Sequence, residues 1–286
     1  MKFLSFVAGG QPSYGAVVGD GKDAGVVDLG KRFGKKLPSL RAALAAGALK
    51  ELTKAATGKK PDHKLSRVKF LPVIPDTRKI ICVGLNYHEH REEAGRPNTT
   101  NPTLFARWAD TQVGHLQPII KPKESDRLDW EGELAVIIGR RGRRIAREKA
   151  MGHVAGYSIY NDVSVRDWQR HTSQFTAGKN FFGTGPFGPW MVTTDEIKDI
   201  GKQTLTTRVN GVVKQQTTID MMIFDIPALI AYVSTFIPLE PGDVIVSGTP
   251  GGVGYARNPP EFMRPGDVCE VEVTGVGVLR NTVKEG

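Results

Sequence analysis

The stretch Asp129-Trp130-Glu131-Gly132-Glu133, running on into Leu134-Ala135-Val136-Ile137-Ile138-Gly139, constrains the fold of this chain more than any other. In an extended strand successive side chains point to opposite faces, so Glu131 and Glu133 share one face while Trp130, Leu134, Val136 and Ile138 share the other. Neighbouring carboxylates repel, and such a pair is solvated, protonated on one member, or neutralised by a hard cation. A solvated surface strand is the commonest origin of an isolated E-x-E. Here the run that follows is apolar on both faces, as in a strand covered on both sides, and that favours the cation. A third oxygen donor should then arrive on another strand, and Gly156-Tyr157-Ser158-Ile159-Tyr160-Asn161-Asp162 is an apolar run ending in an acid. Three carboxylates suit Mg²⁺ or Mn²⁺, whereas Zn²⁺ prefers nitrogen and sulfur.

With 24% charged and 40% hydrophobic residues over 286 positions, the chain has the composition of a folded globular protein and can bury a substantial core. The formal charge of +9 is most concentrated at Arg140-Arg141-Gly142-Arg143-Arg144, just beyond the acidic strand. A turn there exposes the arginines to water, and no interleaved aromatics or recognition helix accompany them, so nucleic-acid binding is not expected. Cys82 and Cys269 each fall in an apolar run, which reads as two buried thiols in a reducing compartment. No apolar run approaches the roughly 18 residues of a membrane span, and the first residues are too short for a signal peptide. A cytoplasmic protein with no membrane partner is the expectation.

Residues 1–71 read as a small N-terminal module, with strands over 2–7, 14–18 and 25–29 and a helix over 38–56, and 72–286 as the main domain. In the main domain Lys79 to Gly84 is a strand, and Asn86 is placed to cap a helix carrying His88, Glu89, His90, Glu92 and Glu93 before Gly95 stops it. His90 and Glu93, three apart, are neighbours on one helical face. The pair is either incidental on an exposed polar helix or a base whose tautomer is set by the carboxylate. Asn210-Gly211 marks a hairpin, and Asp225 can cap the helix that follows. The loop Gly178-Lys179-Asn180-Phe181-Phe182-Gly183 combines glycine and aromatics around one lysine, suited to an anionic ligand. Gly248-Thr249-Pro250-Gly251-Gly252-Val253-Gly254 lacks the G-K-[ST] ending of a P-loop and cannot open a dinucleotide-site helix.

Taken in order, VGLNYHEH with its following EE, PTLFAR, DWEGELAVIIG, YNDVSVRDWQ, the GKNF loop, SGTPGGVG and RPGDVCEVEVTGVGVLRN resemble the fumarylacetoacetate hydrolase family over residues 72–286. The resemblance implies an α+β, mainly β fold, a mixed β-sandwich roll with a small N-terminal α/β module, commonly a homodimer. It implies Mg²⁺ or Mn²⁺ on Glu131, Glu133 and Asp162, with His90 and Glu93 as a water-activating dyad on a lid helix. Lys179 then lies beside the metal, and Gln169 and Thr249 line the substrate pocket. Arg107 is a further substrate contact, standing where smaller members carry lysine, and Trp130 replaces the usual tyrosine. The activity so implied is metal-dependent hydrolysis of the C–C bond of a 2,4-dioxo acid of the acylpyruvate type, by way of a metal-bound enolate. Isomerisation or decarboxylation of a 2-hydroxy-dienoate or 2-oxo acid is the alternative on the same metal site. A fold that keeps the metal without turnover is disfavoured, because no carboxylate and neither dyad residue is missing.

Overall fold

The structure is a computed structural model and describes residues 1–95, 97 and 99–286. Strands β1 (Lys2–Ala8), β2 (Gln11–Val18) and β3 (Gly25–Asp28) form an antiparallel meander, followed by the short helix α1 (Leu29–Phe33). The single helix expected over 38–56 is two, α2 (Leu40–Ala45) and α3 (Leu49–Ala56). Gly47 between them sits at φ 64°, the left-handed conformation that ends a helix. Ser39 opens α2 by accepting from the Ala42 N–H. Two short strands, β4 (His63–Lys64) and β5 (Lys69–Phe70), pair with β3 and β1.

The remaining chain supplies β6 (Ile80–Gly84), α4 (His88–Glu93), β7 (Thr103–Arg107), β8 (Gln112–Val113), β9 (Ile119–Lys121), β10 (Leu128–Asp129) and β11 (Gly132–Ile138). Next come β12 (Val154–Asn161), β13 (Ser164–Val165), α5 (Arg166–Gln169), α6 (Thr176–Lys179), β14 (Gly185–Thr193), β15 (Thr204–Val209) and β16 (Val212–Thr218). Helix α7 (Ile226–Phe236), β17 (Val244–Val246), β18 (Val268–Val273) and β19 (Gly277–Glu285) complete it. A 12-stranded sheet has the order β4-β3-β2-β1-β14-β12-β11-β17-β6-β7, with β5 and β8 beside β1 and β14. A 5-stranded sheet, β16-β15-β18-β19-β9, packs against it, and β10 pairs with β13. This is the expected α+β, mainly β architecture. Residues 1–71 enter it through β1, which pairs antiparallel with β14 at Lys2↔Val192 and Phe3↔Met191.

Strand β11 is buried along its whole length because both its faces are covered. Leu134, Val136 and Ile138 pack with Leu229, Ile230 and Val233 of α7 and with Leu205, Val271 and Leu279 of the 5-stranded sheet. Ala135 and Ile137 pack on the opposite side with Leu40, Leu44 and Leu52 of the N-terminal helices. The strand does not, however, run unbroken from Asp129. The Glu131 N–H donates to Asn161 Oδ1 (3.0 Å), outside the backbone ladder, and Trp130 turns away to pack with Leu128, Val163 and Met263. Trp130 therefore does not share a face with Leu134, contrary to the simple alternation.

Asn210 and Gly211, at φ 52° and 79°, make the expected hairpin turn between β15 and β16. Asp225 caps α7 by accepting from the Ala228 N–H at 2.9 Å. The arginines at 140, 141, 143 and 144 are exposed on their turn, and Cys82 and Cys269 are buried free thiols. Among the described residues no helix is long and apolar enough to cross a membrane. Asn86 does not cap α4, whose cap position is Tyr87. Its fully buried amide instead donates to Ser247 O (2.7 Å) and Phe224 O (3.0 Å), and its Oδ1 accepts from the Phe224 N–H (2.8 Å).

Candidate active site

Pairing of β11 with β12 places Gly132 opposite Asn161, so Glu131 and Asp162 face each other one step further on, joined by the Asp162 N–H to Glu131 O bond of 2.8 Å. Glu133 follows two residues after Glu131. One carboxylate oxygen from each of Glu131, Glu133 and Asp162 lies within 4.8 Å of the other two, and all three residues are buried. Three cations surround them. Lys179, at the end of α6, reaches Glu131 Oε2 at 2.5 Å and Asp162 Oδ2 at 2.6 Å. Arg107, at the end of β7, donates to Asp162 Oδ1 at 2.7 Å, and Arg166 pairs with Glu131 Oε1 at 2.6 Å and with Asp129 Oδ2 at 2.7 Å.

These pairings set the protonation of the cluster. Burial alone raises a carboxylate, but at Glu131 the Lys179 and Arg166 charges outweigh it and bring the group down to about 2. At Glu133 burial, then the Asp162 and Glu131 charges, push it well above the usual carboxylate range. Its Oε2 accepts from the Gly248 N–H (2.5 Å), and it has no ion pair of its own among the described residues. Lys179 and Arg107 are held charged, because Asp162 and its neighbours more than offset the burial that lowers them. Four carboxylates, Asp129 included, thus meet three cations. Glu133 is left without a cation among the described residues, and hard oxygen donors converging on one point beside it fit a dication such as Mg²⁺ or Mn²⁺.

Helix α4 brings His90 to the same cavity, which measures about 680 Å³ and is lined by Glu131, Glu133, His90, Gln169, Lys179 and Thr249 among others. His90 Nδ1 lies 2.7 Å from Glu93 Oε1, and Glu93 Oε2 accepts from the Gly252 N–H at 2.9 Å. Facing a carboxylate, Nδ1 carries the proton, which leaves Nε2 as the basic nitrogen. Thr249 Oγ1 donates to Gly132 O (3.0 Å) and accepts from Gln215 Nε2 (2.8 Å), while Gln169 Oε1 accepts from Arg166 (3.0 Å). Asp162, Glu93 and Arg107 are the expected residues that do not reach the cavity wall. Arg107 is buried behind Asp162 and also donates to Thr184 Oγ1 (2.7 Å) and Val163 O (3.1 Å).

Asp129 and Arg166 were not singled out by the sequence. Asp129 accepts from the Gly254 and Tyr255 N–H groups (2.7 and 3.0 Å) as well as from Arg166, and so ties the glycine loop to the cluster. Its place in the series 129, 131, 133 was the available signal.

Residues 79–284 match the model of the fumarylacetoacetate hydrolase C-terminal domain. The chain belongs to the fumarylacetoacetate hydrolase family. It is 40% identical over 268 residues to a mitochondrial oxaloacetate tautomerase of Bos taurus, covering 92% of this chain and 85% of the relative. A fumarylacetoacetate hydrolase from Exiguobacterium antarcticum superimposes with a TM-score of 0.86 at 35% identity, over 100% of both chains. The maleylpyruvate hydrolase of Sphingobium sp. SYK-6, crystallised with manganese(II) and pyruvate, gives a TM-score of 0.83 at 26% identity, again over 100% of both. This chain's relatives thus include both hydrolases and a tautomerase.

Proposed function

We propose that this chain is a divalent-metal-dependent enzyme that moves a proton at the carbon beside the carbonyl of a small 2-oxo acid, interconverting keto and enol forms of an oxaloacetate-like substrate. The observation that carries the reading is a cluster of three buried carboxylates, two of which, Glu131 and Glu133, share a cavity wall with a carboxylate-oriented imidazole. In this reading Glu131, Glu133 and Asp162 hold Mg²⁺ or Mn²⁺. A dication there supplies Lewis acidity towards a chelating 2-oxo acid and lowers the cost of negative charge on its oxygen. His90, its Nδ1 proton held by Glu93, presents Nε2 to take and return the proton at C3. Lys179 and Arg166 keep Glu131 ionised, Arg107 pairs with Asp162 from behind, and Gln169 and Thr249 flank the substrate. The 40% identity with a tautomerase over 92% of the chain supports proton transfer as the outcome.

The second reading is hydrolysis of an acylpyruvate-type 2,4-dioxo acid, in which His90 activates water towards the C4 carbonyl. The likeness to a maleylpyruvate hydrolase supports it. One experiment separates the two: chelator-stripped protein is given enol oxaloacetate and a panel of 2,4-dioxo acids, with and without Mg²⁺ or Mn²⁺. Enol absorbance is followed, and products are identified by mass spectrometry. We expect metal-dependent loss of the enol without a new carboxylic acid, slowed about 10²- to 10⁴-fold by His90→Gln with metal binding retained. Metal-dependent release of a carboxylic acid and a 2-oxo acid would establish hydrolysis instead, and an undiminished rate in His90→Gln would remove the dyad from either scheme.

A further inference from the structure

The cavity wall carries more positive charge than its carboxylates answer. Arg166 and Lys179 have acidic partners, and Arg107 stands behind the wall with its own. Arg91 has none among the described residues, but four of its five N–H donors are taken, by Leu85 O (3.2 and 2.8 Å), Pro97 O (2.8 Å) and Thr99 Oγ1 (3.1 Å). Arg170 is different. It lines the cavity, is exposed, and forms no ion pair with a carboxylate among the described residues; residues 96 and 98, an arginine and an asparagine, bear none.

Arg170 is nonetheless held in place. It follows α5, its N–H bonded to Asp167 O at 3.1 Å, and its guanidinium lies 4.6 Å from the centroid of the Tyr255 ring. The Arg166 guanidinium lies 4.4 Å from the same centroid, and the Tyr255 N–H is anchored on Asp129 Oδ2, the oxygen that also grips Arg166. Two guanidiniums therefore share one ring, and only Arg166 has its charge answered. The contacts run continuously from Glu131 through Arg166 and Tyr255 to Arg170. A ligand with its 2-oxo-carboxylate end at the acidic cluster can extend its far end along this wall.

We infer that Arg170, stacked on Tyr255, recognises a second carboxylate at the far end of the substrate and makes the cavity selective for 2-oxo dicarboxylates over 2-oxo monocarboxylates. A planar guanidinium with free donors is the natural partner of a carboxylate, which it can bind through two parallel bonds. The inference rests on the proposal that the cavity takes 2-oxo acids.

The test is calorimetric binding to the Mg²⁺-loaded full chain, using ligand pairs that differ only in a terminal carboxylate or methyl group. The pairs are oxaloacetate with 2-oxobutanoate and 2-oxoglutarate with 2-oxopentanoate. Wild type should bind at least one dicarboxylate about 10- to 100-fold more tightly than its methyl counterpart. Arg170→Gln should erase that preference and leave the monocarboxylates unchanged, and Arg170→Lys should keep part of it. Equal binding within both pairs, or equal weakening of both members by Arg170→Gln, would overturn the assignment and leave the 2-oxo-acid reading standing. Failure of wild type to bind any of the four would overturn both.

Discussion

Glu133 is the carboxylate of the cluster with no cation of its own among the described residues, and its cost to the metal-free protein follows from that. Burial and two neighbouring acids oppose its charge, and the bond from the Gly248 N–H compensates only in part. Glu133→Gln removes this acid while its amide oxygen can still accept from Gly248. We expect the metal-free variant to melt at or above the wild-type temperature. Saturating Mg²⁺ should raise the wild-type melting temperature, by about 2.7 kcal/mol of added stability at a hundredfold excess over Kd, and should leave the variant unmoved. Thermal melts followed by circular dichroism, with and without Mg²⁺, check both halves; a metal-free variant melting well below wild type would contradict this account of Glu133.

Helix α4 has six residues, too few for a helix to stand alone in water, yet it carries both His90 and Glu93. Tertiary bonds hold it: Asn86 at its entry, the Tyr87↔Met222 bridge, the Arg91 bonds to Leu85 and Thr99, and the Glu93 bond to Gly252. Asn86 matters most, because three of its side-chain bonds join the helix entry to Ser247 and Phe224, more than 130 positions away. Asn86→Ala should cost about 3 kcal/mol, since each lost bond is worth about 1 kcal/mol and buried backbone groups are left unpaired. It should also lower kcat more than it raises KM, because the displaced group is the proposed base and not a proposed binding contact. Urea unfolding and steady-state kinetics on the same preparation measure the two effects.

At the scale of the whole molecule, His115 sits where the N-terminal strands meet the 5-stranded sheet. Its ring packs edge-on against Phe70 at 4.8 Å, and its Nδ1 accepts from the Arg280 N–H at 3.1 Å. Burial first, and then the Arg280 charge, lower it from 6.5 to about 4. The unfolded chain therefore binds a proton there between these values that the folded chain does not. The contribution to stability is complete above pH 6.5 and is lost as pH falls towards 4, amounting at most to about 3 kcal/mol. The stability difference between wild type and His115→Gln should thus shrink by about 2 kcal/mol between pH 7 and pH 5. Urea titrations of both proteins at the two pH values test this; a constant difference would mean that His115 titrates alike in both states.

What the sequence determined by itself was local. Strand alternation and a doubly apolar run placed Glu131 and Glu133, an Asn-Gly pair set the β15–β16 hairpin, Asp225 marked the start of α7, and a three-residue spacing brought His90 to Glu93. Each of these needs only a few neighbouring residues, whose geometry is fixed by helix or strand period. An apolar run ending in an acid offered Asp162 and a glycine-aromatic loop offered Lys179, and the family resemblance put both at one site. Partnership across the fold was decided only by tertiary structure. Arg107 finds Asp162 across 55 positions and so stands behind the cavity, while Arg166 finds Asp129 across 37. Asn86 reads as a cap from its neighbours but is taken by backbone groups that pack against it from afar. Residues 1–71 read as a separate module, yet β1 pairs with β14 and the N-terminal helices cover one face of β11. Ion pairs and buried amides answer to whichever group is nearest in space, and chain-local periodicity carries no record of that.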